Sequence, residues 1–218
     1  NGDNDGMGFT DFTHYLENFT SRKRKNIKKE RARLLESGFS FHRKSGFEIC
    51  EIDIENFYHC YQLTYAKRNS RGYLTLAFFK QILQSMPEQL LLVQAQYHGE
   101  NDHNKVVANA LYFRDSDNLY GRYWGCLEEF DSLHFECCYY QGIEFCIEHG
   151  LSHFDPGTQG EHKISRGFEP TICHSNHWIA HPEFSQAIDD FLTAEKLDIN
   201  QYAAQASEYL PFKRQKAT

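Results

Sequence analysis

Apolar residues recur at helical spacing, then at strand spacing, then at helical spacing again in the first part of the chain. The first stripe has the i, i+3, i+4, i+7 spacing of a helix and consists of Phe12, Tyr15, Leu16 and Phe19. It predicts a helix over residues 11–19, which a charged helix over residues 22–35 continues. A first strand over residues 39–43 and two helices over residues 54–65 and 74–85 follow.

The centre of the chain is rich in β-forming residues. Residues 90–97 and 105–113 flank a polar turn segment and predict a β-hairpin. Residues 120–124 extend this hairpin by a further strand. Residues 133–149 then carry a helical apolar repeat, which Gly150 ends.

The last part of the chain places a polar loop at the end of a strand. Residues 151–154 predict a strand, and the glycine-rich loop 155–163 follows it. Ligands tend to bind at the carboxyl ends of strands in open α/β sheets, so we expect a ligand site in this loop. Residues 171–180 predict a further strand and residues 183–196 a helix. The residues of this helix predicted to face inward are Phe184, Ala187, Ile188, Phe191 and Leu192.

Composition favours one folded domain in a reducing compartment. The chain has 218 residues, and 40% of them are hydrophobic, which is enough for a substantial core. No apolar stretch approaches the roughly 20 residues that span a bilayer, and the N-terminus lacks a signal-peptide pattern. The seven cysteines form no CxxC pair, and their odd number suits a disulfide framework poorly. These features predict a cytoplasmic protein.

Positive charge is concentrated in one segment. Between Arg22 and Arg33 the sequence has eight Lys or Arg residues and one acid, Glu30. Such a run predicts a surface that grips the phosphates of RNA or anionic lipid. The predicted nucleic-acid contacts are Arg22, Lys23, Arg24, Lys25, Lys28 and Lys29. A solvated helix face with Ile27 and Leu34 turned inward explains the run equally well, and both interpretations stay open.

Three groups of motifs carry a resemblance to a known family. They are Leu119-Tyr120-Gly121-Arg122-Tyr123-Trp124-Gly125, then Leu133-His134-Phe135-Glu136 with Cys138-Tyr139-Tyr140-Gln141, then Gly157-Thr158-Gln159-Gly160-Glu161-His162-Lys163 with Arg166-Gly167-Phe168. Together they resemble the FemAB-like branch of the acyl-CoA N-acyltransferase (GNAT-like) superfamily, the peptidoglycan biosynthesis or recognition proteins. The resemblance extends from Ser21 to Phe212. It implies an α/β, GNAT-like fold with a central mixed, mostly antiparallel sheet flanked by helices.

The resemblance also implies a domain organisation. Residues 1–218 are expected to form a single GNAT-like domain with a basic N-terminal helical segment (1–38), a core (39–212) and a tail (213–218). Relatives in this family carry a second, related half. We therefore expect the chain to be the C-terminal half of a two-domain protein, with the N-terminal half packed on it.

The activity that the resemblance implies is transfer of an acyl or aminoacyl group from acyl-CoA or aminoacyl-tRNA to a small-molecule or peptide amine. The turn that holds the coenzyme A pyrophosphate in ordinary GNAT enzymes departs from its pattern here. Residues 125–132 lack its glycines and hold three carboxylates, which would repel a pyrophosphate. These acids either complement the helix dipole, with Asp131 or Ser132 as N-cap, or favour a cationic acceptor. Two alternatives stay open: a non-catalytic peptidoglycan or ligand recognition module with a degenerate cleft, and a domain that binds RNA or an anionic surface.

Acyl transfer to an amine needs a group that moves the proton and donors aimed at the developing oxyanion. The candidates for proton transfer are Glu161, His162 and Glu136. Glu136 also belongs to an i+4 stripe that predicts a solvent face and continues through Tyr140, Glu144 and Glu148. The predicted substrate contacts are Arg122, Tyr123, Trp124, Tyr140, Gln159, Lys163 and Arg166.

The catalytic loop of related Fem transferases departs from its pattern in this chain. That loop resembles Phe-Lys-x-Gly-Phe, and the corresponding residues here are Ile164 to Phe168, with Ser165 in place of the lysine. Lys163 or Arg166 would have to take over its role.

Two further sets of side chains have recognisable chemistry. Strand alternation predicts that Arg122 and Tyr123 point to opposite faces, with Arg122 either packed on an aromatic ring or projecting into a cleft. A second set has the residue types that bind zinc and consists of Cys173, His174, His177 and His181. Its spacing lacks a matching second pair, so no metal is expected.

Overall fold

The structure, a computed structural model, describes residues 8–67, 69–99, 102–157 and 160–213. The chain divides into two compact units, Asn1–Thr158 and Gln159–Thr218. The predictions of a single domain over residues 1–218 and of a separate tail stay predictions. Residues 214–218 of that tail lie outside the described residues, as do two residues of the predicted turn between the hairpin strands.

The helices of the first unit follow the predicted order. They are α1 (Phe12–Glu17), α2 (Ser21–Glu36), α3 (Glu51–Ala66), α4 (Leu76–Ser85), α5 (Leu133–Phe135) and α6 (Gln141–His149). The predicted helix over residues 133–149 is interrupted by a π-helical turn, Glu136–Tyr140, between α5 and α6. Gly150 ends α6 in the left-handed conformation that favours glycine, with φ of 66°.

One five-stranded sheet forms the centre of the first unit. Its strands are β1 (Phe39–Ser45), β2 (Leu90–Gly99), β3 (Asp102–Arg114), β4 (Asn118–Cys126) and β5 (His153–Asp155), and they lie side by side in this order. Strands β1 to β4 are antiparallel, and β5 runs parallel to β4. The sheet is therefore mixed and mostly antiparallel, which confirms the predicted α/β fold class.

Helices cover both faces of this sheet. Leu91, Val93 and Ala95 of β2 belong to one buried cluster, which includes Leu34 of α2 and Phe145 of α6. The alternate residues Leu90 and Leu92 belong to a second cluster on the other face, with Ile54 and Phe57 of α3 and Phe79 of α4. Successive side chains of a strand point to opposite faces, so a strand covered on both sides is apolar throughout. This explains the unbroken apolar run in β2.

The second unit has little of the predicted strand structure. It contains a 3₁₀ helix, Glu161–Arg166, and the helix α7, Pro182–Ser207. The predicted strand over residues 171–180 is wrong, because this fully described segment has no regular structure. The prediction that Phe184 and Phe191 face inward is also wrong, since they are 60% and 62% exposed. Helical periodicity predicts an apolar face, but it does not supply a partner for that face.

All seven cysteines are free thiols. Among the described residues, no helix combines the length and the apolar character needed to cross a bilayer.

Candidate active site

The edge of β4 is open along most of its length. Strand β5 pairs with β4 only over three residues, from Asn118 to Tyr120. From Gly121 to Cys126, β4 has no further strand on this side among the described residues of the sheet. Unpaired backbone groups on a strand edge are available to another chain or to a ligand. The predicted substrate contacts Arg122, Tyr123 and Trp124 lie in this open stretch.

A β-bulge in β4 positions Arg122. Tyr112 of β3 pairs with Gly121 and Leu111 pairs with Tyr123, so Arg122 is the extra residue between them. The guanidinium carbon of Arg122 lies 5.4 Å from the centre of the Tyr123 ring. The prediction that these two side chains point to opposite faces is therefore wrong. A bulge interrupts the alternation of a strand and redirects the side chain that it carries.

Tyr123 connects the open edge to an aromatic cluster on α3 and α4. Its ring centre lies 5.6 Å from those of Tyr61 and Phe79, both buried. Burial and a hydrogen bond with Tyr73 raise the pKa of Tyr123 to about 12. The phenol therefore keeps its proton at neutral pH and can donate a hydrogen bond.

Trp124 is held from both sides of the strand. Its ring meets His134 edge to face, with ring centres 5.4 Å apart. Its carbonyl oxygen accepts a hydrogen bond from the Thr64 hydroxyl of α3 at 3.0 Å. The half-buried indole is thus fixed beside the open edge.

Glu136 lies elsewhere, in a buried ionic cluster that we call the Arg31 clamp and that consists of Arg31, Glu136, Gln141 and Glu144. Glu136 is only 1% exposed, and its Oε1 accepts hydrogen bonds from Nη2 of Arg31 at 2.8 Å and from Nε2 of Gln141 at 2.7 Å. Nη1 of Arg31 donates to Glu144 at 2.7 Å. Burial opposes the charge of Arg31, but the hydrogen bonds and charges of the two glutamates raise its pKa.

The clamp corrects the prediction of a solvent face for this part of the chain. Glu136 and Tyr140 are both buried, and the Tyr140 hydroxyl donates a hydrogen bond to Glu30 of α2. A shallow cavity of about 210 Å³ lies beside the clamp. It is lined by Arg31, Leu35, Ser40, Phe41, Glu136 and Gln141. The catalytic role of Glu136 and the substrate contact of Tyr140 stay predictions.

The acidic turn after β4 forms internal ion pairs. Glu129 pairs with Lys67 at 2.9 Å, and Asp131 pairs with Arg33 at 2.5 Å. Ser132 stands at the N-cap position of α5 with φ of 68°, but its side chain makes no capping hydrogen bond. Two acids of the turn are thus paired with cations of the protein itself, and no glycine-rich anion site is present at α5.

The second unit brings four predicted residues together in the 3₁₀ helix Glu161–Arg166. This helix is flanked by Gly160 and Gly167, whose φ angles of 109° and 91° suit glycine. Oε1 of Glu161 accepts a hydrogen bond from the Tyr202 hydroxyl at 3.1 Å. Lys163 and Arg166 are buried, and Nη1 of Arg166 donates to the His162 carbonyl at 3.0 Å. The predicted contact Gln159 lies outside the described residues.

His162 has a lowered pKa, which leads to a testable prediction. Partial burial lowers it first, and the charges of Arg166 and Lys163 lower it further, from an ordinary value of 6.5. Its imidazole is therefore neutral at pH 7, and the stability that this neutral form contributes is present above pH 6.5 and decreases as the pH falls below it.

We expect Lys163→Gln to raise the pKa of His162, because one of the two nearby positive charges is removed. Proton NMR titration of the histidine ring hydrogens measures this pKa. Lys196→Gln, on α7 of the same unit, is the matched control and should leave it unchanged. An identical His162 titration in the wild type and in Lys163→Gln would contradict the assigned cause.

The basic run forms an exposed face of α2. Ile27 and Leu34 are 3% exposed, which confirms that they turn inward. Arg31 and Arg33 are used in internal ion pairs. Within the described ranges, no ion pair involves the six predicted nucleic-acid contacts, Arg22, Lys23, Arg24, Lys25, Lys28 and Lys29. The nucleic-acid role of this face stays a prediction.

The four residues with zinc-binding side chains are exposed. They are Cys173, His174, His177 and His181. His181 caps α7, since its Nδ1 accepts the amide hydrogen of Phe184 at 3.4 Å. No group of three or more His, Cys, Asp or Glu side chains suited to a metal ion occurs in the part of the chain that the structure describes.

Sequence reasoning missed three residues of these sites. Arg31 was treated only as one cation of the basic run, although it organises the clamp. Tyr65 and Tyr73 were not singled out, although their ring centres lie 6.0 Å apart and the Tyr61 ring connects Tyr65 to Tyr123 of the open edge. The high tyrosine content of residues 58–73 was the available sequence signal for Tyr65 and Tyr73.

The fold and the arrangement of these residues define an α/β protein with a mixed, mostly antiparallel sheet between helices. The sequence matches the FemAB-like family, described as peptidoglycan biosynthesis/recognition, over residues 4–214, and the chain belongs to this family. No curated protein sequence matches it.

Solved structures that are similar to the chain at low sequence identity include the following three. FemX shares 13% identity with a TM-score of 0.52, over 78% of this chain and 53% of its own. L-PGS from Bacillus licheniformis shares 12% identity with a TM-score of 0.47, over 65% of this chain and 44% of its own. The GNAT family acetyltransferase SP0256 from Streptococcus pneumoniae TIGR4 shares 14% identity with a TM-score of 0.42, over 66% of this chain and 98% of its own. The matched region thus spans about half the length of the first two proteins.

Proposed function

We propose that the chain is an N-acyltransferase that moves an acyl or aminoacyl group to an amine in peptidoglycan biosynthesis. The open edge of β4 in a GNAT-like sheet is the observation that carries this proposal, together with membership of the FemAB-like family. Such an edge can align an extended donor by backbone hydrogen bonds while side chains of the strand contact the acceptor. A second, related half packed on this one and a cytoplasmic location are parts of the same proposal.

Aminoacyl-tRNA is the donor that the charges favour over acyl-CoA. A coenzyme A pyrophosphate needs free amides at a helix N-terminus, whereas the turn before α5 carries carboxylates that pair with Lys67 and Arg33. The basic face of α2, by contrast, offers cations without internal partners among the described residues. Phosphates of a tRNA backbone would offset the mutual repulsion of these cations.

The 3₁₀ helix of the second unit carries the residues that we propose for proton transfer and for oxyanion stabilisation. His162, neutral at pH 7, would accept the proton of the acceptor ammonium group, so that the free amine attacks the carbonyl carbon of the donor. Lys163 or Arg166 would stabilise the oxyanion that forms on the carbonyl oxygen. Collapse of this intermediate breaks the ester bond, and the leaving tRNA oxygen takes up the second proton that the attacking nitrogen loses. Glu161 is the other candidate for this proton transfer.

Ligand-dependent thermal unfolding tests the donor. The chain would be heated with acetyl-CoA, longer acyl-CoAs, free coenzyme A, aminoacyl-tRNA and uncharged tRNA. A ligand present at 100 times its dissociation constant should stabilise the protein by about 2.7 kcal/mol. We expect stabilisation by tRNA and none by a coenzyme A species. Stabilisation by acyl-CoA alone would make acyl-CoA the donor and overturn the argument from the acidic turn.

A salt titration of tRNA binding tests the basic face directly. Replacing Arg22, Lys25 and Lys28 by Gln should lower the slope of log affinity against log salt by about 1 for each phosphate that the variant no longer binds. Arg33→Gln is the control, since its guanidinium already pairs with Asp131. Equal slopes in the triple variant and the wild type would remove this face from the donor site.

A non-catalytic recognition module is the second candidate. The ion pairs of the acidic turn favour it, because they leave no anion site where GNAT enzymes hold their donor. No stabilisation by any donor and no transfer to any amine would favour this candidate over the transferase.

A further inference from the structure

Arg122 is an exposed arginine of β4 that lies against the ring of Tyr123. Arg31, Arg33 and Arg43 each pair with a carboxylate. Arg122 pairs with none among the described residues, and its side chain is exposed. The groups around it are phenols: its guanidinium carbon lies 5.4 Å from the Tyr123 ring centre, and the Tyr61 ring connects Tyr123 to Tyr65 at centre distances of 5.6 Å and 4.9 Å. A guanidinium without an anionic partner has N–H donors that are available to a ligand.

The neighbouring phenols are also hydrogen-bond donors at neutral pH. Burial and the neighbouring tyrosines raise the pKa of Tyr65 to about 12, and the pKa of Tyr123 is likewise about 12. Tyr65, at the end of α3, contacts Tyr73 edge to face with ring centres 6.0 Å apart. Tyr73 is 63% exposed, and its proximity contributes to the raised pKa of Tyr123. The group therefore carries one positive charge, several O–H donors and no carboxylate.

The position of the group on the strand points to a ligand as well. Arg122 is the extra residue of the bulge in β4, two positions after Tyr120, the last residue that β5 pairs with. Bulges are enriched beside functional sites, where they redirect a side chain. Without this bulge, Arg122 would alternate away from Tyr123 and the donors would not converge.

We propose that Arg122, together with the hydroxyls of Tyr65, Tyr73 and Tyr123, binds a carboxylate or phosphate group of the acceptor substrate at the open edge of β4. A planar guanidinium binds either anion with two parallel hydrogen bonds, and phenolic hydroxyls complete the remaining oxygen contacts. The amine that receives the acyl group would thus belong to a molecule that also carries an anion. Assigning the anion to the acceptor rests on the proposed function, whereas the anion site itself does not.

Anion titration with NMR detection of the arginine Nε–H resonances tests the site. The probes are inorganic phosphate and acetate, added at constant ionic strength with sodium chloride as the balancing salt. We expect a saturable shift of the Arg122 resonance. Saturation by phosphate alone assigns a phosphorylated acceptor, and saturation by acetate alone assigns an acceptor that bears a carboxylate. If both probes saturate the site, the one that binds more tightly identifies the class of anion.

Three variants decide whether the proposed groups are responsible. Arg122→Gln should weaken binding of the probe about tenfold or more, because it removes a charge-assisted pair of hydrogen bonds. The backbone amide resonance of Tyr123 reports this binding in the variant. Tyr73→Phe keeps the ring and should weaken binding by a smaller factor. Arg33→Gln is the matched control, an exposed arginine that already has a carboxylate partner. Unsaturable shifts, or equal affinity in Arg122→Gln and Arg33→Gln, would overturn the proposal and leave Arg122 as a packing residue on Tyr123.

The anion site and the transferase can fail independently. Saturable anion binding in a chain that transfers nothing would keep the site and remove the proposed function. If transfer is observed, Arg122→Lys should raise KM for the acceptor more than it lowers kcat, since the residue contacts a group remote from the reacting amine. A fall in kcat at unchanged KM would remove the acceptor assignment.

Discussion

Arg31→Met is expected to lower the free energy of unfolding by about 3–5 kcal/mol, because it leaves a buried carboxylate without its cation. Glu136 is 1% exposed, and Arg31 is its charged partner. The same guanidinium also pairs with Glu144, so its loss would leave two carboxylates facing each other. Urea unfolding, followed by fluorescence, measures the change.

The chain offers a matched control and an internal test for this prediction. Lys29→Met lies on the same helix, is exposed and has no ion pair within the described residues, so it should change the free energy of unfolding by no more than about 0.5 kcal/mol. The double variant with Arg31→Met and Glu136→Met should recover part of the loss, since it removes the buried charge together with its partner. Similar losses for Arg31→Met and Lys29→Met would show that the clamp does not stabilise the fold.

Gly125→Ala is expected to destabilise the protein by about 3 kcal/mol, the upper part of the range for overpacking. A Cβ atom at this position would lie 2.2 Å from the carbonyl carbon and oxygen of Cys60 and 2.7 Å from the amide nitrogen of Tyr61. All three are backbone atoms of α3, so the whole helix would have to move away from β4. The hydrogen bond from Thr64 to the Trp124 carbonyl, which joins the same two elements, would lengthen with it. The midpoint and slope of urea unfolding measure the effect.

Gly121→Ala on the same strand is the control for Gly125→Ala. Its Cβ would meet Pro156 at 3.4 Å, an ordinary van der Waals distance, so the free energy of unfolding should change by about 1 kcal/mol or less. A comparable decrease in the free energy of unfolding of both variants would mean that glycine in β4 is required for a reason other than the close approach of α3. Because α3 also carries Tyr65, Gly125→Ala should in addition disturb the proposed anion site.

Much of the fold could be predicted because its signals are local. The β2 and β3 hairpin follows from two β-rich runs around a polar turn, and the helical stripe of α1 follows from spacing alone. The family could be predicted from motifs in β4, in the helix after it and in the glycine-rich loop. The stripe of α7 gave the helix correctly, but it did not give burial, since an apolar face predicts a partner without identifying one.

The candidate site could be predicted only in part. Arg122, Tyr123 and Trp124 were identified from sequence and lie together at the open edge, but their relative orientation was wrong. Gly121 beside Arg122 is a local signal of a bulge, but which residue becomes the extra one depends on the pairing with β3. Glu136 was placed on a solvent face because its helical neighbours are polar, although its partner Arg31 is 105 residues away in the sequence.

The sequence by itself determined the order of helices and strands in the first unit, the family and the concentration of positive charge on α2. These depend on periodicity, turn residues and motifs that are read within a few neighbouring positions. Only the tertiary structure decided which cations are used internally, where the sheet edge is open and which phenols surround Arg122. Such contacts join residues that are distant in sequence, and their free energies depend on burial and on partners that no local pattern encodes.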